Sequence, residues 1–313
     1  MQTRHIRTFR AIVEAGSIRG AARKLDLSQP AITKILREFE TLLGAPLLLR
    51  SVHGVTLTAF GQALLPRVTL IDKEIERAQE EISQMLGQKN STVAIGVSAV
   101  VAMLVSVRAI ENLWRLHPQV NIKIMNEQFY HILSAIQQGQ LDFAVGPLPD
   151  MSAGKRLVVE PLFHHRVIPV VRKDHPLRHA TSLAEIQGCD WLVPNADNSY
   201  RTLLSQDFIS NGLQPPRIAV ECESFAALIE LVRQSSLVAA VPATLLRLPL
   251  FADHAVAIPV KEKTFFTTIA LVRDSAVQLT PYAALLARQF RVLTRQLVRL
   301  SSSEDIVDAT AGD

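Results

Sequence analysis

The sequence is poor in the residues that most catalytic and metal chemistry uses. It has two cysteines, Cys189 and Cys222, with no CxxC and no pair at metal-ligand spacing. Their number excludes a disulfide framework, and both read as small apolar residues of a core. No Gly-x-Ser-x-Gly, P-loop or GxGxxG occurs, and no His lies four residues from another across a Glu. The adjacent His164-His165 pair would point to opposite faces of a strand. No metal, no cofactor and no catalysis are therefore expected. Long hydrophobic runs are also missing. The longest uncharged apolar run, Val93 to Val107, falls short of the ~20 residues a spanning helix needs. The opening MQTRHIRTFR is basic but leads into no apolar signal core. A cytoplasmic protein without membrane contact is expected.

What the chain does have is length and a segregated charge. At 313 residues it can form two or three domains, and 48% hydrophobic with 20% charged residues suits a globular fold with a large core. Residues 1–60 carry nine Lys and Arg against four acids, whereas the remainder carries 24 against 25. All the net positive charge thus sits at one end, as in a domain that meets a polyanion.

Within that end, Ser17 to Leu43 reads as two short helices meeting at Leu25-Asp26-Leu27. Ser28 can cap the second helix, and Pro30 suits its first turn. Ile32, Ile35, Leu36, Phe39, Leu42 and Leu43 form an apolar stripe. Pro30, Thr33, Lys34 and Arg37 fall opposite, a polar face suited to a major groove. The preceding helix places Ile18, Ala21, Ala22 and Leu25 on one face, and its small Ala-Ala pair allows a close helix crossing. Leu47–Arg50 and Val55–Leu57 read as a two-stranded wing around Ser51-Val52-His53-Gly54.

This segment resembles the DNA-binding domain of LysR-type transcriptional regulators. The resemblance rests on Phe9, Ala21-Ala22, Leu25, Ser28-Gln29-Pro30-Ala31, Ile35, Leu43-Gly44, Leu47, Arg50 and Leu57-Thr58. Two positions depart from the pattern. Gly20 replaces a larger residue and is expected to loosen its helix; His53 stands where an arginine is usual. The candidate DNA-contacting residues are Ser28, Gln29, Pro30, Thr33, Lys34, Arg37, Arg50 and His53. Some members of the family sense oxidants through a cysteine pair, so the resemblance leaves that role open for Cys189 and Cys222.

Thr58 opens a long helix. Leu64, Val68, Ile71, Ile75, Ala78, Ile82 and Met85 recur at alternating steps of four and three, a heptad seam for a second chain. Pro66 is expected to bend or interrupt its first turns. Strand and helix patterns then alternate: two βα sets in series, hence an α/β fold with two lobes and a cleft. The expected domains are a winged helix-turn-helix over 1–60, a linker helix and hinge over 58–91, a first effector lobe over 92–163 and 268–300, a second lobe over 164–267, and a disordered tail over 301–313. The resemblance implies a Rossmann-like, periplasmic-binding-protein-like effector domain. It also implies chain crossings near Phe163–Arg166 and Phe265–Thr268, and dimers or tetramers.

Ligands in open α/β sheets bind beyond the carboxyl ends of strands, near helix N-termini. That rule selects Ser98, Ala99, Val100, Gln128, Gly146, Pro147, Ser199, Tyr200, Ser224, Phe225 and Pro242. The recurrent serines suit a small anion, and the Tyr200 and Phe225 rings an apolar body; the direction of Arg201 is open. The expected partners are operator DNA, a small-molecule effector and a second copy of the chain, with RNA polymerase as a further candidate. The alternative is a small-molecule binding protein whose N-terminal segment serves only assembly.

Overall fold

The computed structural model describes residues 1–51, 54–86, 91–126, 129–148, 156–194, 199–300 and 305–309. The chain divides into two compact units, Met1–Ser91 with Gln137–Gln140, and Thr92–Ile136 with Leu141–Asp313.

The first unit is built from helices α1 (Thr3–Ala15), α2 (Ile18–Leu25) and α3 (Gln29–Leu43), strands β1 (Leu48–Ser51) and β2 (Gly54–Leu57), and helix α4 (Ala59–Met85). Its caps follow the sequence closely. Gly16 ends α1 at φ +63°, and the Ser17 hydroxyl accepts from the N–H of Gly20 at 3.0 Å. Gly44 ends α3 at φ +68°. Phe9, Ile12, Ala21, Ile32, Leu36, Phe39 and Leu47 form the centre of one apolar core. Leu42 and Leu43 do not extend the buried stripe of α3; they lie exposed in its last turn.

Gly20 corrects an expectation. A Cβ there would stand 2.8 Å from the Ala15 Cβ and 2.9 Å from the Ser17 hydroxyl. The glycine therefore lets α2 start tightly under the end of α1. Pro66 lies inside α4 without interrupting it. Val68 and Leu64 pack into the core of their own domain, Val68 fully buried, so these two seam positions have a partner within the chain.

The second unit is α/β. Strand β3 (Thr92–Val97) leads into α5 (Ala99–Val101), a π-helical turn Ala102–Ser106 and α6 (Val107–Leu116). Strand β4 (Asn121–Met125), helix α7 (Phe129–Gln137) and strand β5 (Phe143–Pro147) complete a βαβαβ unit in which β3 runs parallel to both neighbours. The 16-residue strand β6 (Leu157–Arg172) then passes into the second lobe. There follow a 3-10 turn Ala184–Ile186, β7 (Asp190–Pro194), α8 (Ser199–Ser210), β8 (Arg217–Cys222), α9 (Phe225–Gln234) and β9 (Val238–Pro242). A second 3-10 turn, Ala243–Arg247, precedes α10 (Pro249–Ala252) and β10 (Ala255–Ala257). Strand β11 (Phe266–Asp274) returns to the first lobe, α11 (Pro281–Leu300) packs there, and β12 (Ile306–Asp308) follows.

The sheet order β4-β3-β5-β11-β6-β9-β7-β8 makes one ten-stranded sheet with β10 and β12 added to β6. Strands β6 and β11 pair antiparallel and carry both lobes. Each lobe has apolar packing on both sheet faces. In the first lobe, Phe163, Ile269 and Leu271 pack with α6 and α11, and Ala270 and Val272 with α7. In the second, Val167 and Trp191 pack with α8, and Val170 and Leu192 with α9. The tail expected to be disordered contains a strand in its described part: Ile306 is buried in the first lobe's core, and burial of that side chain offsets the cost of ordering a short segment.

Candidate nucleic-acid interface and effector cleft

Helix α3 presents Ser28, Gln29, Pro30, Lys34 and Arg37 to solvent, with Thr33 half-buried beside them. The Ser28 hydroxyl accepts from the N–H of Ala31 at 3.3 Å, which fixes the helix start. Neither acid of α3 lies free beside these groups. Glu40 accepts from the N–H of Leu47 at 2.8 Å and of Leu48 at 3.3 Å, and Glu38 accepts from Arg4 at 3.4 Å.

The other cations of residues 1–49 sort into two groups. Arg7 and Arg10 hold the buried Asp72 carboxylate, and Arg10 and Lys24 hold Glu14, whose pKa is lowered chiefly by Lys24. Arg19, Arg23, Lys34 and Arg37 are exposed and have no acidic partner among the described residues. All four lie on α2 and α3. The i, i+4 pair Arg19 and Arg23 was missing from the sequence-derived contacts, although its spacing on α2 was readable. Between β1 and β2 the register sets Arg50 opposite Val55. Gly54 has φ +123° and an added Cβ would come 2.8 Å from the Gly16 carbonyl, while Val55 N–H donates to that carbonyl at 3.0 Å. The wing is thereby seated on the α1–α2 turn. The Arg50 and Ser199 side chains, and all of His53 and Gln128, lie outside the described residues.

On α4, Ile71, Ile82 and Met85 are exposed, Ala78 is exposed and Ile75 is half-buried. A stripe of apolar residues therefore continues beyond the domain core that takes Leu64 and Val68.

In the second unit, Ser98 follows β3 and caps α5. Its N–H donates to the Val145 carbonyl at 3.0 Å and its hydroxyl accepts from Val101 N–H at 3.4 Å. The π-helical turn follows at once, with the Ser106 hydroxyl donating to the Val101 carbonyl at 3.2 Å; such turns concentrate at functional sites. Val100 packs against the second lobe's apolar cluster, which also takes Phe225. Ser224 caps α9 and accepts from Ala227 N–H at 3.3 Å. Gly146 and Pro147 end β5 opposite Ala270 and Ile269, and Pro242 ends β9 opposite Val167. Ser98 and Ser224 each retain a hydroxyl hydrogen, since both act as acceptors in their caps.

One expectation changes here, and the open direction of Arg201 is decided. Tyr200 is buried in the second lobe's core, edge-on to Phe265 at 5.6 Å, and burial pushes its phenol up to about 12 against the Thr267 hydroxyl. Its ring is a packing element. Arg201 turns to Glu221, with its Nε donating at 2.8 Å, so it is neutralised locally. The cysteines pack on different clusters, and burial, with the neighbouring Asp190 charge, raises the Cys189 thiol above its ordinary value.

A winged helix-turn-helix joined to a two-lobed α/β domain defines a ligand-responsive DNA-binding regulator. Residues 3–62 match the model for bacterial regulatory helix-turn-helix proteins of the lysR family, and residues 86–294 match the LysR substrate binding domain. The chain belongs to the family of LysR-type transcriptional regulators. It is 28% identical to the Escherichia coli regulator TdcA, over 93% of this chain and 88% of that one. Identity to the Pseudomonas putida regulator GalR is 27%, over 94% and 75%. Among solved structures, CbnR superposes with TM-score 0.66 at 18% identity, covering 94% of this chain and 99% of CbnR. A full-length OxyR variant of Pseudomonas aeruginosa gives 0.66 at 18%, covering 93% and 95%. No helix among the described residues is long and apolar enough to cross a membrane.

Proposed function

We propose that two chains pair through α4, place their α3 helices on a dyad-related operator, and respond to a small anionic effector held between the lobes by Ser98 and Ser224. The observation that carries the DNA contact is the sorting of cations over residues 1–49: Arg4, Arg7, Arg10 and Lys24 hold acids, while Arg19, Arg23, Lys34 and Arg37, all on α2 and α3, are exposed without an acidic partner among the described residues. Free guanidinium and ammonium groups beside an N-terminal helix end suit phosphates, and Gln29 at that end suits a base edge. CbnR, which shares the fold, has been solved with its target DNA. Exposed Ile71, Ile82 and Met85 support assembly through α4.

The domain limits follow the same reading: 1–60 reads DNA, 58–91 links and pairs, 92–163 with 268–300 and 164–267 hold the effector. The protein acts without catalysis, in the cytoplasm, where operator and RNA polymerase are at hand. For the effector, the capping serines offer neutral donors at helix N-termini, and with Arg201 tied to Glu221 selectivity rests on hydrogen bonds and shape. Phe225, half-buried, suits an apolar body.

Mobility shift of genomic fragments tests the first half. Log K should fall with log salt at a slope of about −5 to −9 for some six to ten phosphates, and a slope near zero would refute it. A thermal-shift screen of small carboxylic acids, followed by calorimetry on Ser98→Ala and Ser224→Ala, tests the second. Each loss should weaken the acid that emerges by about threefold to thirtyfold. Wild-type affinity in both variants would reduce these serines to caps.

A further inference from the structure

The described end of the chain does something its composition conceals. In the first lobe, β6 is the outermost strand of the order β4-β3-β5-β11-β6, so one side of it is a sheet edge. Such an edge offers unpaired N–H and C=O groups to any extended segment. β12 takes that place at the point where β6 leaves the first lobe. Ile306 lies opposite His165, Val307 opposite His164 and Asp308 opposite Phe163. The N–H of Arg166 donates to the Asp305 carbonyl at 2.8 Å. One residue further along the same side, β9 begins its own pairing at Val167.

The side chains of this segment reach both lobes. Ile306 is 4% exposed and joins the first lobe's core with Phe163, Leu286 and Phe290. The Asp305 carboxylate stands 3.8 Å from the guanidinium of Arg247, on the 3-10 turn after β9 in the second lobe. Val307, next along, is exposed, the alternation of a strand with one face buried. In sequence the segment is an Ile-Val pair bracketed by Glu304, Asp305 and Asp308. It is the one apolar pair in an otherwise small and acidic terminus, and it lands on the edge strand.

We propose that the Phe163–Arg166 edge of β6 is a strand-accepting site for the chain's own carboxy-terminal segment, and that its occupation clasps the two lobes and restrains their rotation. The backbone of β6 supplies the ladder, the first lobe's core takes Ile306, and Arg247 of the second lobe takes Asp305. Residues on either side of the passage between lobes are thus held by one short strand. The effector response then has an internal brake: any event that lifts the segment frees the edge and loosens the passage.

Hydrogen exchange followed by mass spectrometry on the full chain tests this, against a chain ending at Leu300 and against Ile306→Asp. In both variants the amides of His164 and Arg166, which point to β12, should exchange at least tenfold faster, and those of α1 and α3 unchanged. The Val167 N–H, which donates to the Phe265 carbonyl at 2.9 Å on the opposite side of β6, should also loosen. A synthetic peptide of residues 301–313 in excess should restore protection to the shortened chain. Unchanged exchange at His164 and Arg166 in both variants would overturn the site. Faster exchange there with Val167 unaffected would overturn the clasp, leaving an edge cover. Protection in the wild type should not depend on protein concentration; loss on dilution would assign the strand to a second copy and overturn the cis arrangement.

Discussion

The carboxylate of Asp72, midway along α4, accepts from the guanidinium of Arg7 on α1 at 3.0 Å and from that of Arg10, one turn further on. The Asp72 side chain is 5% exposed, so this is a nearly buried charge held by two partly exposed ones. It ties the long helix to the DNA-binding core at a fixed rotation. Asp72→Ala removes the buried acceptor of both guanidiniums, leaving Arg10 its bond to Glu14 and Arg7 partly in solvent. It should destabilise the N-terminal domain by roughly 1–3 kcal/mol, the range for losing charge-assisted hydrogen bonds. Chemical denaturation of variant and wild type measures this; equal midpoints would mean the pair adds no net stability.

The two groups of cations should behave differently on DNA. Lys34→Ala and Arg23→Ala each remove a free charge and should reduce the salt slope of operator binding by about one. Arg7→Ala removes a charge already committed to Asp72 and should leave the slope nearly unchanged at salt concentrations where the domain stays folded. Gln29→Ala should alter base preference rather than slope. Mobility-shift titrations at several salt concentrations compare all four. Equal slopes across the set would show that partnering does not select the contacts.

Where sequence signals were local, the structure follows them. Ser17, Ser28 and Thr58 cap the helices that their neighbours suggested, and the strand-helix alternation from Thr92 to Leu300 reappears nearly element by element. Errors arose where a one-dimensional pattern could not say what lay opposite. The heptad positions of α4 are apolar whether they meet a second chain or their own domain, and Val68 meets its own domain. Tyr200 stands at the start of a helix beyond a strand, yet the rotation of that helix turns its ring into the core. β12 was invisible because a three-residue strand owes its order to the edge of β6, not to its own composition.

Assembly and folding should separate along α4. Ile82→Asp should dissociate the dimer without unfolding the monomer, because Ile82 is 57% exposed in the single chain. Two carboxylates facing each other across a two-fold axis cost several kcal/mol, about a hundredfold or more in the dissociation constant. Val68→Asp should instead unfold the N-terminal domain. Sedimentation and circular dichroism distinguish the outcomes. An Ile82→Asp chain that sediments as wild type would move the interface elsewhere.

His165 sets the response to acid. It is 1% exposed on β6, edge-on to Phe163 at 5.8 Å, and burial, aided by the His164 charge, lowers its pKa from 6.5 to about 4. The unfolded chain therefore takes up a proton at this position before the folded one does. Stability from the neutral imidazole is fully present above about pH 6.5, declines as pH falls toward 4, and levels off below. The loss across that window should approach roughly 3 kcal/mol at its limit. His165→Phe, of similar ring shape and unable to titrate, should remove this contribution and flatten the fall between pH 6.5 and 4. Because Ile306 sits directly opposite His165, the chain ending at Leu300 should show a smaller slope as well, its imidazole being closer to water. Denaturation midpoints of the three proteins at stepped pH decide it. Parallel curves would place the origin of any acid lability at other groups.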